Sequence, residues 1–138
     1  MNREKIIRTL RKTLGKEEEI LFAYLYGSYA ADDVYFRSDI DVAVYLKPSG
    51  IMHYMKKEEE LTFALAKGLH RDDFDLRILN ALPFLMQYKV IKEGMPIVIR
   101  DELERVDFET RVMNRYFEMK PYLEEYDRML TLRIEAGI

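Results

Sequence analysis

The chain reads as an α/β fold: a small mixed sheet with helices on one face and a helical C-terminal segment. Three observations predict it. Residues 20–26 (ILFAYLY) and 42–46 (VAVYL) are continuous apolar runs rich in β-branched and aromatic residues, the pattern of strands buried on both faces. Apolar residues at helical spacing precede the first run and follow the second. The last third carries one long helical stripe, Phe108, Val112, Tyr116, Met119, Leu123, Tyr126 and Leu130.

Taken in order, Ile6, Ile7, Leu10 and Leu14 predict a helix over about residues 2–14, with Gly15 as its stop. Strand one covers 20–26 and turns at Gly27-Ser28. Ser28 is placed to cap a short helix through Tyr29-Ala30-Ala31. Residues 32–37 form a loop, and strand two runs from about 39 to 46. Pro48-Ser49-Gly50 then breaks the chain. Ile51, Met55, Leu61, Ala64 and Leu65 predict an amphipathic helix over 51–68 whose KKEEE block is a solvated face.

Residues 74–79 form a third strand, with Asp75 and Arg77 on one side and Phe74, Leu76 and Ile78 on the other. Pro83 opens a helix over about 83–93 that Gly94 ends. Residues 95–99 are a short edge strand, because Pro96 has no N–H to give to a ladder. In the final helical stretch Pro121 predicts a kink or two abutting helices. Met113, Phe117, Tyr122 and Met129 fall off the main stripe. They are either a partner surface or part of a wide buried contact.

At 138 residues the chain is long enough for one domain with its own core. Its charged fraction and hydrophobic fraction are those of a globular protein rather than a disordered one. No apolar run approaches the roughly 20 residues of a membrane span, and the charged N-terminus is no signal peptide. The absence of cysteine removes disulfides and thiolate zinc sites and suits a cytoplasmic location. A net charge of −3 argues against duplex nucleic acid as a partner.

The chemistry is concentrated at Asp39-Ile40-Asp41. Side chains alternate along a strand, so Asp39 and Asp41 point one way and Ile40, Val42 and Val44 the other. Two carboxylates on one face at the mouth of an apolar strand either share a proton or hold a cation. Asp75, from the third strand, is a candidate third carboxylate: an oxygen ligand for Mg²⁺ or a general base for an attacking hydroxyl. A glycine turn followed by free N–H groups suits a phosphate, which marks Gly27 and Ser28. Carboxylates, divalent metal and polyphosphate together make the apparatus of phosphoryl or nucleotidyl transfer. The pair is no EF-hand, because Ala43 and Tyr45 stand where further oxygen ligands belong.

Gly27-Ser28, ten intervening residues and then Asp39-x-Asp41, within Ser38-Asp39-Ile40-Asp41-Val42-Ala43-Val44, resembles the signature of the nucleotidyltransferase superfamily related to DNA polymerase beta. Phe74-Asp75-Leu76-Arg77-Ile78-Leu79-Asn80 followed by Pro83 looks like the strand bearing that family's third carboxylate. The likeness covers nearly the whole chain and narrows to minimal nucleotidyltransferase (MNT) domain antitoxins of the MntA type, partners of HEPN toxins. It implies a polymerase-beta-like fold over residues 1–138, with a catalytic core in 1–100 and C-terminal helices in 101–138. It implies a protein adenylyltransferase that uses ATP and two Mg²⁺ ions to modify a tyrosine on a HEPN ribonuclease toxin. Asp39, Asp41 and Asp75 would hold metal, with Asp75 also activating the hydroxyl, and Gly27, Ser28 and Ser38 would hold the nucleotide. One departure stands out. Relatives commonly carry Ala-Arg-Gly after the Gly-Ser-x start, where this chain has Ala30-Ala31-Asp32, with Arg37 as a possible compensating cation.

The remaining polar residues have plainer readings. Asp73 competes with Asp75 only if the third strand starts early, and Asp72 and Asp73 otherwise read as loop charges. His53 and His70 are surface or helix-end histidines rather than zinc ligands. Two other functions fit the same pattern: a non-catalytic module that neutralises its partner by occlusion, and a small-molecule nucleotidyltransferase.

Overall fold

The computed structural model describes residues 2–30 and 39–137. In chain order its elements are α1 (Arg3–Gly15), β1 (Ile20–Tyr26), a 3₁₀ turn (Gly27–Tyr29), β2 (Ile40–Leu46), α2 (Ile51–Leu69), β3 (Phe74–Ile78), a second 3₁₀ turn (Leu79–Ala81), α3 (Phe84–Glu93), β4 (Met95–Ile99) and α4 (Glu102–Glu135). The four strands form one sheet in the order β3-β2-β1-β4. β1 is antiparallel to both its neighbours, while β2 and β3 are parallel. A parallel pair needs a crossover, and α2 supplies it. β4 lies at an edge, where Pro96 costs the sheet no ladder bond on its outer side.

Alternation on the strands divides the core in two. Ile20, Ala23, Leu25, Ile40, Val42, Val44, Leu76 and Ile78 pack with Ile6, Leu10 and Leu14 of α1 and with Leu61, Leu65 and Leu69 of α2. Phe22, Tyr24, Tyr26, Ala43 and Tyr45 pack on the opposite face with Val90 of α3 and with Phe108 and Val112 of α4. Helices therefore cover both faces, not one. The reason lies in β1 and β2: with every residue of β1 buried, neither face can be left to water. The second core is aromatic. Phe22 stacks on Tyr45 with ring centroids 4.5 Å apart, and Phe108 approaches Tyr45 to 4.9 Å.

Helix ends follow local chemistry. The Asn2 side chain accepts from the Lys5 N–H at 2.9 Å, and that of Asp101 accepts from the Glu104 N–H. His70 ends α2 in the left-handed region at φ 55°. Pro83 is the residue before α3, one position earlier than the sequence placed it within the helix. The turn after β1 is a 3₁₀ turn over Gly27–Tyr29, two residues earlier than the short helix the sequence placed there, whose end at residue 31 lies outside the described residues.

α4 departs furthest from expectation. It is a single helix that continues across Pro121, not two. The proline removes one N–H, which leaves the Phe117 carbonyl to be satisfied by water, and Phe117 is exposed enough for that. Only Phe108 and Val112 are buried; Tyr116, Met119 and Leu123 are partly covered, and from residue 124 onward every described side chain is exposed. The long stripe is thus core in its first turns and open surface in its last ones.

Candidate active site

β1 and β2 are antiparallel, so the end of β1 meets the start of β2, and Tyr26 pairs with Asp41. β2 and β3 are parallel and in register, so Asp41 pairs with Asp75. Neighbouring strands lie about 4.8 Å apart and register partners project to the same side, so the two carboxylates flank each other on the α3/α4 face. Their apolar neighbours Ile40, Val42, Leu76 and Ile78 go to the other face, into the α1/α2 core.

Gly27 closes the arrangement. Its φ of 73° lies in the left-handed region, and a Cβ built on it would stand 2.6 Å from Asp41 Oδ2. Only a glycine turns the chain here and lets the Asp41 carboxylate lie against the backbone. The turn is tied down from α1, whose Arg3 donates to the carbonyls of Tyr29 at 2.6 Å and Ala30 at 3.3 Å.

The electrostatics record the crowding. Asp41 is pushed above the usual carboxylate range by burial, then by the charges of Asp75 and Asp39, with Lys89 and Arg77 pulling the other way. Burial, followed by the same Asp41 and Asp75 charges, pushes the Tyr26 hydroxyl up to about 12. Arg77 Nε holds Asp75 Oδ2 at 3.0 Å, with both side chains about half exposed.

Gly27, Asp41 and Asp75 are therefore brought together. Asp39 stands exposed one residue before β2, within electrostatic reach of Asp41. Ser28 lies in the turn beside Gly27. Ser38, Arg37 and the Ala31-Asp32 departure lie outside the described residues. Asp73 is no competitor to Asp75: both its oxygens are taken by Arg71, which holds its carboxyl below the usual range, and β3 starts after it. His53 pairs with Glu19 at 2.7 Å and His70 is an exposed helix cap, so neither points to zinc.

Among the described residues no three His, Asp or Glu side chains close on a common point as a ready-made metal site. The donor set nonetheless suits a hard divalent cation. Asp41 carries repulsion from two further carboxylates that Lys89 and Arg77 offset only in part, all are oxygen donors, and a bound ion would relieve it. Asp75 would first have to release Arg77, an exposed pair worth no more than about 1 kcal/mol. Arg77, Lys89 and Tyr26 are the site residues that the sequence did not single out for chemistry. Arg77 was visible as sharing the side of Asp75; the charge of Lys89 acts on Asp41 from α3, a separation of nearly 50 residues that no local pattern reveals.

The sequence model of the family described as Polymerase beta, Nucleotidyltransferase matches residues 4–103, which contain the sheet, the glycine turn and all three carboxylates. The chain belongs to the polymerase beta nucleotidyltransferase family.

This nucleotidyltransferase has no match among curated proteins. Its fold is similar to solved structures. One is a toxin-antitoxin complex with AMP-PNP, at 23% identity and a TM-score of 0.69 over 95% of this chain and 99% of that one. Another is the toxin-antitoxin MntA-HepT, at 21% identity and a TM-score of 0.62 over 94% and 96%. A third is an MNT antitoxin in complex with a tri-AMPylated HEPN toxin from Shewanella oneidensis, at 22% identity and a TM-score of 0.62 over 94% and 95%. At these identities the likeness shows that the nucleotidyltransferase shares their polymerase-beta-like fold, the long C-terminal helix included. Among its described residues no helix is long and apolar enough to cross a membrane.

Proposed function

We propose that the chain is an ATP- and Mg²⁺-dependent protein adenylyltransferase that acts as an antitoxin by transferring AMP to a tyrosine of a HEPN-family toxin. The observation that carries the reading is the register of Asp41 with Asp75 beside the Gly27 turn, in a chain of the polymerase beta nucleotidyltransferase family. Support for the partner comes from fold relatives that are MNT antitoxins held with HEPN toxins, one toxin tri-AMPylated and one complex containing AMP-PNP.

Asp39, Asp41 and Asp75 would hold the magnesium ions, which supply charge neutralisation on the polyphosphate and a lowered barrier at phosphorus. The chain's own groups do the rest. The Gly27-Ser28 turn would receive the triphosphate, and the missing side chain of Gly27 leaves room for the Asp41 carboxylate beside it. Asp75, half exposed, faces the incoming hydroxyl and takes its proton as the acceptor oxygen bonds to the α-phosphorus. The bond from that phosphorus to the bridging oxygen breaks, and pyrophosphate leaves. Lys89 and Arg77 add positive charge near Asp41 that would offset the negative charge gathered there.

A second reading, neutralisation by binding alone, is favoured by one observation: Tyr122, Tyr126, Met129, Leu132 and Ile134 form an exposed apolar surface on the outer part of α4. One experiment separates the two. The protein is mixed with a HEPN partner, ATP and Mg²⁺, and intact mass is read on the partner. The transferase reading expects gains in steps of about 329 Da, one AMP each, by metal-assisted transfer. Occlusion expects no gain, and neutralisation that survives Asp39→Asn with Asp41→Asn.

A further inference from the structure

The face of β2 that bears Asp41 also bears Ala43 and Tyr45, and Tyr45 stands four residues further along, about 13 Å away at the usual strand rise. There the sheet, the loop after β2, α2, α3 and α4 line an open cavity of about 280 Å³. Tyr45 and Phe108, both buried, contribute to its walls; Phe84, Gln87, Arg111 and Arg115 also line it. No acidic residue is among its lining residues.

Its free chemistry is cationic. Arg111 and Arg115 are four residues apart on α4 and so present their guanidiniums on one side. Arg115 lies over the Phe84 ring at 4.4 Å, which fixes its plane, and no carboxylate partner is found for it among the described residues. Arg111 donates to Asp107 at 3.0 Å across an exposed pair, an interaction weak enough to yield to a better anion. The amides in the wall are already committed: Gln87 Nε2 donates to the Leu79 carbonyl, and Asn80 holds both the N–H and the carbonyl of Leu46. The rim thus carries two forked cations, of which only Arg111 has a carboxylate partner, and that one outside the lining, on a protein whose net charge is −3.

We infer that this cavity is a second, metal-independent site for a phosphate carried on a planar ring, of the size of a nucleoside monophosphate. The phosphate binds the Arg111 and Arg115 guanidiniums at the rim and the ring lies in the open cavity beside them, against Gln87 and the edges of its aromatic lining. The site uses none of the carboxylates at the other end of β2, so it stands or falls separately from the transferase reading.

The test is binding of AMP to the full chain in excess EDTA, followed by calorimetry, with inorganic phosphate and adenosine as separate arms. Saturable AMP binding is expected, tighter than either fragment alone and unchanged by Asp41→Asn. Arg115→Ala is expected to weaken it by about tenfold, the loss of roughly one charge-assisted contact. Arg115→Lys, which keeps the charge and loses the fork, should weaken it less but measurably. Arg115 is exposed, so these variants should melt with the wild type, and an unchanged melting temperature keeps a binding loss interpretable. No saturable AMP binding in EDTA overturns the inference. So does AMP binding that survives Arg111→Ala with Arg115→Ala, or phosphate binding as tight as that of AMP.

Discussion

The Asp41 carboxylate lies against Gly27, so close that a methyl group on the glycine would stand 2.6 Å from Asp41 Oδ2. Gly27→Ala therefore meets two penalties at one place. The left-handed backbone costs roughly 1–2 kcal/mol for an L side chain, and the Asp41 carboxylate must move. The expected outcome is a melting temperature lowered by several degrees and loss of AMP transfer. Thermal melts and a transfer assay on the same preparation check both.

Asp41 opposes folding when ionised in the metal-free protein, because burial and the charges of Asp75 and Asp39 raise its folded pKa above that of the unfolded chain. The sign follows from linkage. The cost is full above the folded pKa, shrinks as the pH falls, and vanishes below the unfolded value of about 3.9. In EDTA at pH 7, Asp41→Asn should raise the melting temperature slightly, and the gain should disappear below about pH 4. Millimolar Mg²⁺ with ATP should stabilise the wild type more than the variant, since ligand binds the folded state. A wild type indifferent to Mg²⁺ and ATP would remove the cation from the site.

Phe108 pins the start of α4 to the sheet through its contacts with Phe22 and Tyr45. It is buried to within 3% of its surface. Phe108→Ala should cost about 3–5 kcal/mol, the usual figure for deleting a buried aromatic. Chemical denaturation measures it. A cost under about 1 kcal/mol would mean that α4 is not anchored there.

The outer part of α4 should behave oppositely. A chain stopped after Pro121 loses side chains that are almost all exposed, so its melting temperature should match that of the full chain within the small range typical of surface changes. The same truncation should abolish co-purification with a HEPN partner, because it deletes the apolar surface of Tyr122, Tyr126, Met129 and Ile134. Retained binding would place the interface elsewhere.

Most of the sheet was legible because its signals are local. The apolar run ILFAYLY gives β1 its bounds, and the alternation around Asp39 and Asp41 assigns Ile40, Val42 and Val44 to the core opposite Asp41. The sequence singled out Gly27, Asp41 and Asp75, which lie together in the fold, and not the groups around them. Arg77 bonding Asp75 and Arg71 bonding Asp73 are local pairs two residues apart, whereas the Lys89 charge acting on Asp41 depends on which helix lies beside the strand. The distinction between Asp73 and Asp75 was resolved by where β3 begins.

What the amino-acid order determined by itself is the set of acidic side chains and the glycine turn, since residue type, period-two alternation and the need for a positive φ are properties of short stretches. The tertiary structure alone decided that helices cover both faces of the sheet, that β2 and β3 run parallel so that Asp41 and Asp75 meet, and that α4 spends more than half its apolar residues on open surface. Each of these is a choice of neighbour, and a chain's neighbours are set by which surfaces can be buried together, a sum over the whole molecule that no short stretch contains.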